Sequence, residues 1–310
     1  MTGGVYTDLE SLIRLKYQAR GFSFLPRQPI HSLLAGQKAS KLRGRGLNFE
    51  EIRNYFPGDD IRNIDWKVTA RMREPHTRVY TEERDRPSIL VVDQRLNMFF
   101  GSQVAMKSVT AAEAAALAAW RCLSVGDRVG AVVFNETETE EIVPRRSSKT
   151  VMRILQTIID QNRQLRADAA VPLRPERLNE VLERVCRIAK HDTLVCIISD
   201  FFGADEEAKN LISRLGRHND LIAGFVYDPL EAGLPDLGDV VVGDGELQIE
   251  IDSGDDELRQ RFAGIFSERL SNARNFLLQR QIPVLPLQTG LPVAGQVRKL
   301  LGAGPGSAVR

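Results

Sequence analysis

Two apolar runs that each end in an aspartate constrain this chain most. Ile89–Val92 is continuous, apolar and rich in β-branched residues, and it stops at Asp93. Thr193–Ser199 (T-L-V-C-I-I-S) repeats the pattern and stops at Asp200. A strand wetted on one face alternates apolar and polar residues. A run without polar breaks marks a strand covered on both faces, the habit of central strands in parallel sheets. Arg128–Phe134 and Asp220–Tyr227 read as further strands, with weaker ones at Thr77–Glu83, Glu140–Val143 and Ile282–Leu287. Helical stretches lie between them. One, Ala-rich over Val104–Leu123, is apolar on most sides and so expected to be buried. Others fall near 148–161, 176–190, 205–216 and 255–280, and Pro292 opens a last short one. Asp239–Val242 and Leu247–Ile251 flank Gly-Asp-Gly-Glu, a hairpin signal. Strands alternating with helices predict an α/β fold, a mostly parallel sheet with helices on both faces. Ahead of it, Asp8 reads as the N-cap of a first helix stopped by Gly21, followed by a polar connector to Gly46. The expected organisation is a helical and irregular extension over 1–85, the α/β domain over 86–301, and a disordered Gly/Ala/Ser-rich tail over 302–310.

Composition narrows the function classes. With 43% apolar residues the chain can bury a core. No stretch approaches the ~18 apolar residues of a membrane span. The start M-T-G-G-V-Y-T-D-L-E has no basic stretch before an apolar run, so a cytoplasmic chain without an export signal is expected. Cys122, Cys186 and Cys196 are far apart in apolar contexts, which fits reduced thiols rather than disulfides or zinc. His31, His76, His191 and His218 show no metal-ligand spacing. Net charge is +1 but unevenly placed: 16 basic against 11 acidic side chains precede Pro87, and Asn219–Leu258 holds twelve acids and no Lys or Arg. That acidic stretch reads as a solubilising surface that also offers electrostatic contact. The short basic run Lys38, Lys41, Arg43 and Arg45 is the candidate for nucleic-acid contact, but it reads as a solvated loop.

Ligands of parallel sheets collect beyond the carboxyl ends of the strands. Asp93 and Asp200 both stand there, and if their strands are neighbours they share one crevice. Two such carboxylates can hold a divalent cation or act as acid and base, the basis of a weak metal-dependent hydrolase. The plainer alternative is that each caps the turn that follows. Gly101–Ser108 (G-S-Q-V-A-M-K-S) departs from a phosphate loop at Met106, where glycine is required, so no nucleotide site is expected around Lys107. No Ser-His-Asp or Cys-His set can be assembled, and G-x-S-x-G is absent. The densest segment lies elsewhere: Gly44 to Arg53 (G-R-G-L-N-F-E-E-I-R), Tyr55, Pro57, Gly58, Asp59, Asp60, Arg62, Asp65, Trp66, Lys67, Ala70 and Arg71. Its alternating charges read as an ion-pair network fixing an irregular loop, or as a partner-binding face with aromatic and arginine anchors. The Asp/Arg pairs favour the first reading; Trp66 stays open.

This segment resembles the signature of a bacterial family, domain of unknown function number fifty-eight. Asp228–Glu231 with Leu234 and Pro235, and Met98, Phe100, Gly101 and Ser102, match further family motifs. The resemblance spans about residues 30–290. It implies a von Willebrand factor A-like domain and association with MoxR-type AAA+ ATPases in chaperone-like assembly. The chain would then be a non-enzymatic adaptor rather than the motor. Such domains commonly hold Mg²⁺ through D-x-S-x-S, a Thr from a second loop and an Asp from a third. Here Asp93 keeps its place, Arg95 and Asn97 replace the serines, Asp200 matches the third loop, and Ser147, Ser148 or Thr150 would supply the second. Arginine is permanently charged and has no acceptor. The resemblance therefore implies a degenerate metal site in which Arg95 forks onto an aspartate and no cofactor binds; the competing outcome is an outward Arg95 and weak Mg²⁺ binding. Arg95, Asn97 and Asp200 would line the partner-binding crevice.

Overall fold

The computed structural model describes residues 4–19, 47–57, 59–82, 86–168, 172–236, 238–243, 248–280 and 282–301. The basic run from Lys38 to Arg45, Gly58, Glu83, Leu247 and the tail 302–310 lie outside the described residues. The chain forms two units, one of residues 1–27 with 86–310 and one of residues 28–85. The expected single extension 1–85 is thus divided. Helix α1 (Leu9–Arg14), capped by Asp8, belongs to the larger unit. Leu12 and Leu15 are buried there, and Trp120 Nε1 donates to the Leu12 carbonyl at 3.1 Å.

The smaller unit is more regular than its sequence suggests. Strand β1 (Leu47–Asn54) pairs antiparallel with β2 (His76–Glu82), with a bulge between Phe49 and Glu51. The extra residue breaks the alternation that would have marked β1 as a strand. Between them, helix α2 (Trp66–Met72) starts where Asp65 Oδ1 accepts from the backbone N–H groups of Lys67 and Val68, at 3.0 and 3.1 Å. The signature's charges act inside this unit. Arg53 forks onto Asp59 with two bonds of 2.9 Å, Asp60 caps the short turn Ile61–Asn63, and Arg78 Nε donates to Asp65 Oδ2 at 2.8 Å. The Tyr55 N–H donates to the Pro75 carbonyl.

The larger unit continues with β3 (Pro87–Asp93), α3 (Lys107–Ser124), β4 (Arg128–Phe134), β5 (Thr139–Arg145), α4 (Ser148–Gln164), α5 (Arg177–Ile188), β6 (Leu194–Ser199), α6 (Glu206–Gly216), β7 (Asp220–Tyr227), α7 (Pro229–Ala232), β8 (Asp239–Gly243), β9 (Gln248–Asp252), α8 (Asp256–Gln279), β10 (Val284–Gln288) and α9 (Val293–Leu301). Six strands make one sheet in the order β10-β7-β6-β3-β4-β5, parallel throughout except that β5 runs against β4. β8 and β9 form a separate antiparallel hairpin. The fold is mixed α/β. The runs that announced β3 and β6 are buried on both faces. Leu90, Val92, Cys196 and Ile198 face the layer of α1, α3, α4 and α9. Ile89, Val91, Val195 and Ile197 face that of α5 and α6. Among the described residues no helix is long and apolar enough to cross a membrane.

Candidate functional site

β3 and β6 are neighbours, so Asp93 and Asp200 stand side by side at the carboxyl edge of the sheet, both of them buried. Asp93 has no exposed surface. Arg95 Nε lies 3.0 Å from its Oδ1, and Arg95 Nη2 lies 2.8 Å from its Oδ2. Ser199 Oγ donates to Oδ2 at 2.6 Å, and the Arg95 backbone N–H donates to Oδ1. Arg95 is itself fully buried, over the Phe134 ring, with Nη2 also donating to the Phe202 carbonyl. Burial works against its charge, but Asp93, with Asp200 and Glu136 behind it, outweighs that and raises the guanidinium pKa. A forked pair of this kind fixes geometry as well as charge.

Asp200 has a cation of its own. Lys107, at the first turn of α3, places Nζ 2.8 Å from Asp200 Oδ2 and 2.8 Å from Glu231 Oε1 in α7. Desolvation opposes this charge too, and the two carboxylates overcome it, holding the ammonium above the ordinary lysine range. Asn97 Nδ2 and the Phe202 N–H each donate to Asp200 Oδ1 at 2.9 Å. At the end of β7, Asp228 accepts from the Ser102 backbone and hydroxyl, the Thr289 hydroxyl and the Leu230 N–H. Gly101 is required beside it, since a Cβ there would lie 2.1 Å from the Ala105 carbonyl oxygen. Beyond β4, Glu136 is buried and accepts from the Leu96 N–H at 2.7 Å. Burial raises its pKa, the Leu96 N–H pulling the other way.

Asp93 and Asp200 are therefore each matched by an internal cation. These residues do not fit a divalent cation: Arg95 occupies the edge of Asp93, and Lys107 stands on Asp200. Among the described residues no group of three or more His, Cys, Asp or Glu side chains gathers at metal-binding distance. Nor does a free base stand beside a nucleophile.

Three expectations need correction. Ser147, Ser148 and Thr150 lie at the far end of the sheet, because β5 runs antiparallel and carries the chain from Thr139 beside Phe134 to Arg145 beside Val129. Near the crevice the following connector stands instead, through Arg174 to the Glu136 carbonyl and Arg177 to the Asn135 carbonyl. Second, Arg95 and Asp200 are buried and present nothing to a partner; of the three expected lining residues only Asn97 is half-buried. Third, the crevice has two built-in cations rather than one. Trp66 and the rest of the signature belong to the smaller unit.

What the carboxyl edge does expose is apolar. Gly4 bridges in parallel to Ala105, which ties residues 4–6 to this edge, and the Tyr6 and Phe99 rings lie 5.6 Å apart. Val104 is 61% and Phe100 40% exposed. An open cavity of about 680 Å³ adjoins this rim, lined by Tyr6, Phe99, Arg163, Arg166, Ala167 and Asp168.

Fold and crevice together define a class: a mostly parallel α/β domain in which the aspartates ending β3 and β6 are held by its own arginine and lysine. The chain belongs to the DUF58 family, described as "Protein of unknown function DUF58", whose sequence model matches residues 51–270. It is similar to uncharacterized proteins of Mycobacterium bovis and Mycobacterium tuberculosis, each 30% identical over 281 residues, covering 89% of this chain and 85% of theirs. Among solved structures it is similar to a conserved hypothetical protein, BatB, from Bacteroides thetaiotaomicron, with a TM-score of 0.42 and 12% identity over 69% of this chain and 98% of that one.

Proposed function

We propose that this chain is a non-enzymatic, cytoplasmic protein-interaction module with a von Willebrand factor A-like fold and a degenerate metal site. Its partner is a MoxR-type AAA+ ATPase or that ATPase's client. The observation that carries this reading is the pairing of both strand-end aspartates with internal cations, Asp93 with Arg95 and Asp200 with Lys107. With their charges so matched, neither Asp93 nor Asp200 is left to bind an ion or to move a proton. The choice of partner rests on the family resemblance. The contact surface is the apolar rim of Val5, Tyr6, Phe100 and Val104, because exposed apolar side chains grouped at one edge are what protein interfaces bury.

The test is a titration of the purified protein with the MoxR-type ATPase encoded in the same genome, with and without ATP. Wild type binds; Phe100→Asp and Val104→Asp lose at least about tenfold in affinity, as truncated interface anchors do. Val143→Asp, exposed on strand β5, leaves binding unchanged. Absence of binding by wild type, or equal binding by all variants, overturns the proposal.

A further inference from the structure

Helix α2 carries an exposed face with no partner among the described residues of its unit. At 3.6 residues per turn, Trp66, Lys67, Ala70 and Arg71 share one side, and the half-buried Val68 and Thr69 take the other. Trp66 is 71% exposed, a large area to leave an indole in water. Ala70, one turn on, leaves space beside the ring. Three acids nearby are engaged: Asp59 by Arg53, Asp60 as a cap, Asp65 by the helix N-terminus and Arg78. Among the described residues the side chains of Lys67 and Arg71 make no hydrogen bond or ion pair, so this face is aromatic and positive.

The β8–β9 hairpin shows the converse. Asp239 and Val241 alternate onto one face of β8, and their partners directly opposite are Asp252 and Glu250. Val241 is 65% exposed and Asp239, Glu250 and Asp252 are exposed as well. A valine thus stands among three carboxylates. Neither Asp239 nor Glu250 has an ion-pair partner among the described residues.

We propose that the α2 face of one copy receives the β8–β9 hairpin of a second copy, with the Trp66 indole over Val241 and Lys67 and Arg71 against Asp239 and Glu250. A membrane or nucleic acid is the poorer occupant. Residues 28–85 hold eleven basic and nine acidic side chains, so an extended polyanion would meet almost as many repelling carboxylates as bases. A compact acidic patch with an apolar centre meets the helix face alone. The contact is heterologous, one face of each kind per copy, so it propagates head to tail. It is small, and hence weak and salt-sensitive. It does not depend on the reading of the crevice.

Sedimentation velocity on the full chain tests this. In low salt the weight-average coefficient of wild type rises with concentration up to about 200 μM, and it returns to the monomer value near ~0.5 M salt. Lys67→Glu/Arg71→Glu and Asp239→Lys/Glu250→Lys each stay monomeric. All four side chains are exposed, and unchanged circular dichroism confirms that both variants fold. Mixed in equal amounts, the two variants associate again, because the intact faces meet and the two reversed faces are complementary in their turn. A wild type that remains monomeric overturns the proposal. A mixture that stays monomeric, or binding to anionic vesicles or nucleic acid without self-association, overturns it equally.

Discussion

Replacing Lys107 with methionine removes one ammonium from between two carboxylates and nearly keeps the side chain's length. The lysine side chain is 3% exposed, as is that of Asp200, while Glu231 is 22% exposed and can turn towards water. The buried charge that loses its ammonium is therefore Asp200, which keeps the hydrogen bonds from Asn97 and Phe202. Breaking a buried pair from one side costs about 3–5 kcal/mol, against ~1 kcal/mol or less for a surface pair. For a unit of this size that lowers Tm by roughly 6–20 °C. The chain has two tryptophans. In a Trp66→Phe background the buried Trp120 reports on the larger unit alone. Fluorescence-monitored denaturation then gives the loss directly. Lys107→Met/Asp200→Asn recovers most of it, because no buried charge remains to be solvated. A single-variant loss below ~1 kcal/mol, the surface value, or a double variant no better than the single, would refute the reasoning.

Three further outcomes follow from the same geometry. Burial opposes ionisation of Asp228, but the bonds from Ser102, Thr289 and Leu230 prevail and hold its carboxyl below the usual 3.8. Its stabilisation is complete above that value and is lost as pH falls through the lower folded pKa, so the stability gap between wild type and Asp228→Asn narrows in acid denaturation below about pH 4. Burial pushes the Cys122 thiol up to about 11 and Cys196 to about 12, so mass spectrometry after native alkylation finds label on the half-buried Cys186 and on the other two only after unfolding. Asn162 bridges Gln94 Oε1 and the Thr7 N–H, both buried; Asn162→Leu strands them at about 1–3 kcal/mol each, and hydrogen exchange in residues 4–15 quickens.

The strands of the sheet were legible because burial on both faces writes itself into a continuous apolar run, as in Ile89–Val92 and Leu194–Ser199. The strand-end places of Asp93 and Asp200 were legible too, but their adjacency waited on the pairing of β3 with β6, which nothing local announces. β1 was hidden by its bulge, and α2 by its brevity, although Asp65 is an ordinary N-cap signal. Ser147 was misplaced because nothing local says that β5 turns back on β4. Lys107 was read only against a phosphate loop. Its partners stand 93 and 124 residues further along the chain, and a buried cation matched at that distance leaves no mark in its own neighbourhood.

A titration of the full chain with Mn²⁺, followed by calorimetry and by electron paramagnetic resonance of the free ion, bears most directly on the crevice. With Arg95 on Asp93 and Lys107 on Asp200, no saturable binding occurs and the free-ion signal grows in proportion to the metal added. Micromolar binding that disappears in Asp200→Ala would mean that the side chain of Arg95 turns away and that the ion, not the protein's own cations, occupies the crevice.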